Sequence, residues 1–138
     1  LLQGGAIDKM PRLFGIQTEG IQPFVQQFNN EEINIGSTDT LAEGIKIQRS
    51  SHIKEIIEFV RQSNGSFISV NESEIKEALH MMGKQGFFIE PTSAAAFAGI
   101  KKLIDTDQIM EGQITVGVIT GNGLKSTNKL QDLLINAE

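Results

Sequence analysis

The sequence predicts an α/β domain built on a mainly parallel sheet. Three observations predict it: short apolar runs that read as strands, longer stretches with helical periodicity, and an order in which the two kinds alternate. That order is strand, helix, helix, strand, helix, helix, strand, helix. The chain has 138 residues, enough for one domain, and residues 1–138 are read as a single α/β unit without internal repeat, low-complexity tract or linker.

Arg12 to Gln17, an apolar run after Pro11, reads as the first strand, closed by Thr18-Glu19-Gly20. Ile21 to Phe28 reads as a short helix with Ile21, Phe24, Val25 and Phe28 on one face. Asn29 to Thr40 is polar and turn-rich, a loop, and Leu41 to Ile47 is ambiguous. Ser51 to Ser63 is a stronger helix, because Ile53, Ile56, Ile57 and Val60 share one face. Ser50 or Ser51 is placed to cap it, and Asn64-Gly65 to stop it, with Gly65 suited to the left-handed position.

Ser66 to Val70 reads as the second strand. Asn71 then opens a helix as N-cap, and Glu74 three places on completes a capping-box pattern. Ile75, Ala78, Leu79 and Met82 form its stripe, and Gly83 and Gly86 end it. Thr92 or Ser93 is placed to cap the next helix, which begins with three alanines and carries Phe97, Ile100, Leu103 and Ile104. Gln113 to Thr120 is the clearest strand: Ile114, Val116, Val118 and Ile119 are nearly continuous, as in a strand buried on both faces. Gly121-Asn122-Gly123 is a tight turn, and a last helix runs from about Ser126 to Asn136.

Composition narrows the function. Hydrophobic residues make up 39% and charged residues 21%, a globular balance. A net charge of −5 argues against nucleic acid or an anionic membrane as the main partner. Without cysteine there is neither a disulfide framework nor a thiolate metal site, and two distant histidines, His52 and His80, do not make a zinc site. Both histidines read as surface residues, and Lys101-Lys102 as a solvated face. No apolar run approaches the roughly 18 residues of a membrane span. The opening Leu1-Leu2-Gln3-Gly4-Gly5, with no methionine and no basic region, reads as a fragment rather than a signal peptide.

In open parallel sheets ligands gather at the carboxyl ends of strands, which here are Thr18-Glu19-Gly20, Val70-Asn71 and Thr120-Gly121-Asn122-Gly123. The last sets a hydroxyl at a strand tip and then frees the backbone with two glycines. Its local sequence also suits an ordinary strand-to-helix turn, and it has neither the Walker spacing nor the third glycine of a dinucleotide fingerprint. Glu90-Pro91-Thr92-Ser93-Ala94-Ala95-Ala96 is the second candidate; it reads equally as a capped, packed helix, but Glu90 follows an apolar run, and a partly buried carboxylate there has a partner or a task.

Three phrases together resemble the threonine synthases, a family of fold-type-II pyridoxal-phosphate (PLP) enzymes. Ile7 to Gly20 is similar to a stretch that carries "PR-x-x-G-x-Q-x-E-G", Gly86 to Ala96 to "G-x-x-x-E-P-x-S-A-A", and Val118 to Lys125 to "TG-x-G-LK". They stand in the family's order and spacing and cover the whole chain. The resemblance implies a three-layer sandwich with a mainly parallel sheet, the C-terminal part of the family's large domain. It implies a PLP-dependent lyase whose parent protein converts O-phosphohomoserine and water into threonine and phosphate. It implies a cytoplasmic protein, a small-molecule amino-acid substrate and a homodimer.

By the same resemblance Thr120 faces the pyridine nitrogen, Gly121 and Gly123 let the backbone approach the ring edge, Asn122 belongs with them to the cofactor-binding set, and Glu90 and Glu19 lie near the cofactor or brace its pocket. A neutral hydroxyl donates to that nitrogen without fully protonating it, which suits elimination and replacement better than transamination. The family's Schiff-base lysine, phosphate loop and ring-oxygen asparagine would all precede this region, so no catalytic residue is expected in the chain and it is expected to be inactive alone. Serine/threonine dehydratases share the Glu-Pro segment and are the close alternative. A non-enzymatic α/β binding module, and an unrelated α/β enzyme with Glu90 as general base, are the others.

Overall fold

The structure, a computed structural model, describes residues 2, 4–127 and 130–131. Strand β1 (Phe14–Thr18) leads to α1 (Pro23–Phe28), a 3₁₀ turn at Glu43–Ile45, and α2 (Ile53–Gln62). Strand β2 (Ser66–Val70) then leads to α3 (Glu72–Lys84), α4 (Pro91–Asp105) and a second 3₁₀ turn, Gly123–Ser126.

β1 and β2 pair in parallel, Phe14 opposite Ser66 and Thr18 opposite Val70. Because side chains alternate across a strand, this register sorts the core into two. Phe67 points to one face and packs with Phe24 of α1 and Ile57 and Val60 of α2, its ring stacked on Phe24 at 5.5 Å. Val70, and Ile16 from β1, point to the other and join Ile75, Ala78 and Met82 of α3 with Ala94, Ala95 and Ala98 of α4. Two helices on each face of a parallel sheet make the α/β arrangement that the sequence pattern predicts and the three layers that the resemblance implies. On the α3/α4 face the buried Thr18 Oγ1 has no hydrogen-bond partner among the described residues.

Local chemistry explains most boundaries. Pro23 starts α1, two residues later than expected, and Gln22 at its N-cap makes no side-chain cap bond. The cap comes from the sheet instead: buried Gln17 accepts from the amides of Phe24 at 2.9 Å and Val25 at 3.2 Å. Ser50 Oγ accepts from His52 N at the start of α2, although His52 holds the cap position. Of the face expected for α2, Ile57 and Val60 are buried while Ile56 is exposed. Asn64, not Gly65, takes the left-handed position after α2; a Cβ on Gly65 would instead overlap the Leu13 carbonyl. α3 has the full capping box, with Asn71 Oδ1 accepting from Glu74 N and Glu74 Oε2 accepting from Asn71 N. Gly83 lies inside α3 and Gly86, at φ 87°, follows its end.

Two further expectations fail. Neither Thr92 nor Ser93 caps α4: Glu90 is the N-cap, without a side-chain cap bond, because both hydroxyls have tertiary partners. The second is the strand at Gln113 to Thr120. A strand exists by pairing, and no described residue pairs with this run. Ile114, Val116 and Val118 are 96%, 83% and 64% exposed, so the apolar run is not buried on both faces. At Gly117 the run meets α4, where a Cβ would lie 2.9 Å from Ile100. The helix expected at Ser126 to Asn136 lies mostly outside the described residues, which give only the 3₁₀ turn and helical residues at Thr127 and 130–131.

A buried hydroxyl without a partner is a cost that an isosteric methyl removes. Thr18→Val is therefore expected to raise stability by about 1 kcal/mol, read from the urea midpoint at unchanged slope.

Candidate functional site

The candidate residues meet where the start of α4 faces the Thr120–Gly123 turn. Pro91 takes the first position of α4, where its fixed φ and missing N–H do no harm. Glu90 before it is half-buried and free of capping duty, and its Oε1 accepts a hydrogen bond from Thr120 Oγ1 at 3.2 Å. Ser93, fully buried one turn in, holds the same loop from beneath. Its Oγ accepts from the amides of Thr120 and Gly121, both at 3.0 Å. It also lies 3.1 Å from Thr120 Oγ1 and 3.3 Å from the Gly121 carbonyl.

The backbone reinforces this clamp. Glu90 N donates to the Gly121 carbonyl at 3.1 Å and Gly123 N to the Phe88 carbonyl at 3.0 Å, an antiparallel bridge between Ile89 and Asn122. Asn122 Oδ1 accepts from Leu124 N at 2.9 Å, so this side chain caps its own 3₁₀ turn. Both glycines allow close approach. A Cβ on Gly121 would overlap the Glu90 carboxylate, and one on Gly123 would sit 2.8 Å from the Phe88 ring. In the structure the space beside the glycines is thus taken by this chain's own side chains.

Glu90, Thr120, Gly121 and Asn122 therefore come together, on a buried base with the Thr120 side exposed. Glu19 does not join them through any polar contact; it lies 3.9 Å from Lys102 Nζ, beyond the carboxyl end of β1. Lys102 corrects the reading of Lys101-Lys102 as a solvated face. Its Nζ donates to the Ser69 carbonyl at 2.9 Å and pairs with Glu74 at 3.1 Å, tying α4 to β2 and to the capping box of α3. Lys101 does stand in solvent. Its hydrogen bond to Asp105, helped by that carboxylate's charge, raises the ammonium pKa, so this small contribution to stability holds through neutral pH and fades as pH rises through the raised value.

Sequence reasoning missed Ser93, Gln17 and Lys102 as organising residues. For Ser93 a signal existed: the helix start offers two hydroxyls, Thr92 and Ser93, where one would serve as cap. For Gln17 and Lys102 nothing local distinguishes a tertiary partner from a solvated side chain. His52 and His80 are exposed as expected, and among the described residues no group of acidic or histidine side chains could hold a metal ion. A hollow of about 200 Å³ between α3 and α4, floored by Ala78, Phe97 and Ala98, does not include the Glu90–Ser93–Thr120 cluster. Among the described residues no helix is long and apolar enough to cross a membrane.

With this geometry in hand, comparison with known proteins gives the class. Residues 2–121 match the family of pyridoxal-phosphate dependent enzymes, and the chain belongs to that family. Within it, the chain is 37% identical over 124 residues to the threonine synthase of Mycobacterium tuberculosis, covering 89% of this chain and 33% of that protein. It is 38% identical over 122 residues to the Synechocystis threonine synthase, covering 88% and 30%, and 34% identical over 125 residues to that of Methanocaldococcus jannaschii, covering 88% and 31%. The chain thus spans about a third of the length of the curated relatives it matches. Among solved structures it is similar in fold to maize serine racemase, with a TM-score of 0.61 at 19% identity over 91% of this chain and 40% of that one.

The contact between Gly121 and Glu90 gives a separable test. Gly121→Ala is expected to push the Glu90 carboxylate off Thr120 and cost about 1 kcal/mol of stability, and the cost is expected to vanish in a Glu90→Ala background. A double-mutant cycle in urea denaturation measures the difference.

Proposed function

We propose that this chain forms one wall of the cofactor pocket of a PLP-dependent threonine synthase, as part of its large domain. The observation that carries the reading is the Thr120 hydroxyl, exposed on its outer side and held on a buried base by Ser93 and Glu90. This set suits the nitrogen edge of a pyridine ring: one neutral hydroxyl held by fixed neighbours, whose proton Glu90 accepts in the structure and the ring nitrogen would take when the cofactor is bound. PLP, when bound, supplies the electron sink for bond changes in the amino-acid substrate. In this reading Thr120 holds a hydrogen-bonding proton at the ring nitrogen and leaves that sink moderate. Gly121 and Asn122 keep the loop close and in one shape, and Glu90 braces Thr120. Glu19, joined to Lys102 instead, braces the pocket wall from the carboxyl end of β1.

In this proposal the lysine that anchors the cofactor is not one of those in residues 1–138. Among the described residues no lysine bonds to the Glu90–Ser93–Thr120 cluster, and the exposed Ile114, Val116 and Val118 are a surface that the rest of a large domain would cover. The parent's reaction is then the conversion of O-phosphohomoserine and water to threonine and phosphate, and residues 1–138 alone neither anchor PLP nor turn over substrate. The family likeness carries with it a small amino-acid substrate, a cytoplasmic site of action and a homodimer.

Thr120→Val keeps the shape and removes the donor. In the intact protein it is expected to weaken PLP binding roughly tenfold, read by absorbance titration, while Thr120→Ser retains it. Unchanged affinity in the valine variant would remove Thr120 from the cofactor. Borohydride reduction of residues 1–138 mixed with PLP is expected to label no specific lysine.

A further inference from the structure

The Ser93 hydroxyl carries one proton and two lone pairs. The amides of Thr120 and Gly121, each at 3.0 Å, take both lone pairs. Ser93 therefore has no capacity to accept from Thr120, and the 3.1 Å contact between the two hydroxyls runs one way, from Ser93 to Thr120. The alternative acceptor for the Ser93 proton, the Gly121 carbonyl, is farther at 3.3 Å. Thr120's own proton is left to point away from Ser93. In the structure it goes to Glu90 Oε1 at 3.2 Å.

We propose that Ser93 is a positioning residue that fixes the direction of the Thr120 proton, and that Glu90 and the cofactor's ring nitrogen compete for that single proton. The inference rests on the reading of Thr120 as the ring-nitrogen donor. Three features support it. Ser93 is fully buried, so its hydroxyl has no water to fall back on, and losing it strands two amides. It sits on the first turn of a 15-residue helix, a rigid mount, while its bonds reach a turn 27 and 28 residues away in sequence. A hydroxyl that accepts one hydrogen bond donates a stronger one, so the relay from Ser93 to Thr120 polarises the Thr120 proton toward its acceptor.

The test uses the intact protein with three variants. Ser93→Ala removes the hydroxyl. Ser93→Cys keeps the packing but offers a weak acceptor and a weak donor. Thr92→Ala, which removes a hydroxyl that among the described residues accepts only from Gly44 N, is the control. Without cofactor, NMR-detected exchange of the Thr120 and Gly121 amides is expected to quicken roughly ten- to thirtyfold in both Ser93 variants and to stay unchanged in the control. With PLP bound, the cofactor's absorbance maximum is expected to shift in both Ser93 variants and not in the control. Unchanged amide exchange in Ser93→Ala, or a cysteine that restores both exchange and spectrum, overturns the positioning role. Faster exchange with a spectrum unmoved by both Ser93→Ala and Thr120→Val overturns the ring-nitrogen reading and the proton competition built on it, while leaving the clamp in place.

Discussion

The parallel register of β1 and β2 is the constraint on which the rest depends. With Gly15 opposite Phe67 and Ile16 opposite Ile68, the pleat sends Phe67 to one side and Ile16 and Val70 to the other. A slip of one residue would exchange the two sets. Phe67 would leave the Phe24–Ile57–Val60 cluster, and Val70 would leave the alanine face of α4. The helices follow from this division. Gln17, on the Phe67 side, caps α1, and the carboxyl end of β2 runs directly into the capping box that starts α3.

α4 joins that core to the site. Its inward surface is made of small residues, Ser93, Ala94, Ala95, Ala98 and Gly99, all buried, with Leu103 at the far end. Small side chains bring the helix axis close to its neighbours, and the proximity is what lets one short hydroxyl, Ser93, reach two successive amides of another segment. A longer side chain at 93 would hold the loop away. The carboxylate of Glu90 then covers Gly121 from the helix side, so loop and helix start behave as one unit.

What was legible in the sequence was whatever depends on near neighbours. β2 and α3 were readable because Asn64-Gly65, Asn71 and Glu74 are local signals with local causes. The grouping of Glu90 with Thr120 was reached only through resemblance to a family, since the residues are 30 apart and neither neighbourhood requires the other. Thr92 and Ser93 read as caps because the capping rule counts only the first-turn amides. Here a loop amide at 120 and another at Gly44 compete for the same oxygens. The run from Ile114 to Ile119 departs from expectation for the opposite reason: its composition describes a buried strand, but composition cannot supply the neighbouring strand that burial requires. Ile104 on α4 is 51% exposed although it is apolar, because the buried face of this helix is marked by small residues rather than large ones.

The exposed run has a consequence for handling the chain by itself. Ile114, Val116 and Val118 alternate with Thr115 and Gly117 in a segment without proline and without charge from Gln113 to Thr120. That is the composition of an aggregation-prone segment, and no pairing among the described residues blunts it. Two such chains in solution present each other with the same sticky edge, a nucleus for cross-β assembly while it stays bare. Residues Lys125 and Glu111 stand on either side as the nearest charged gatekeepers.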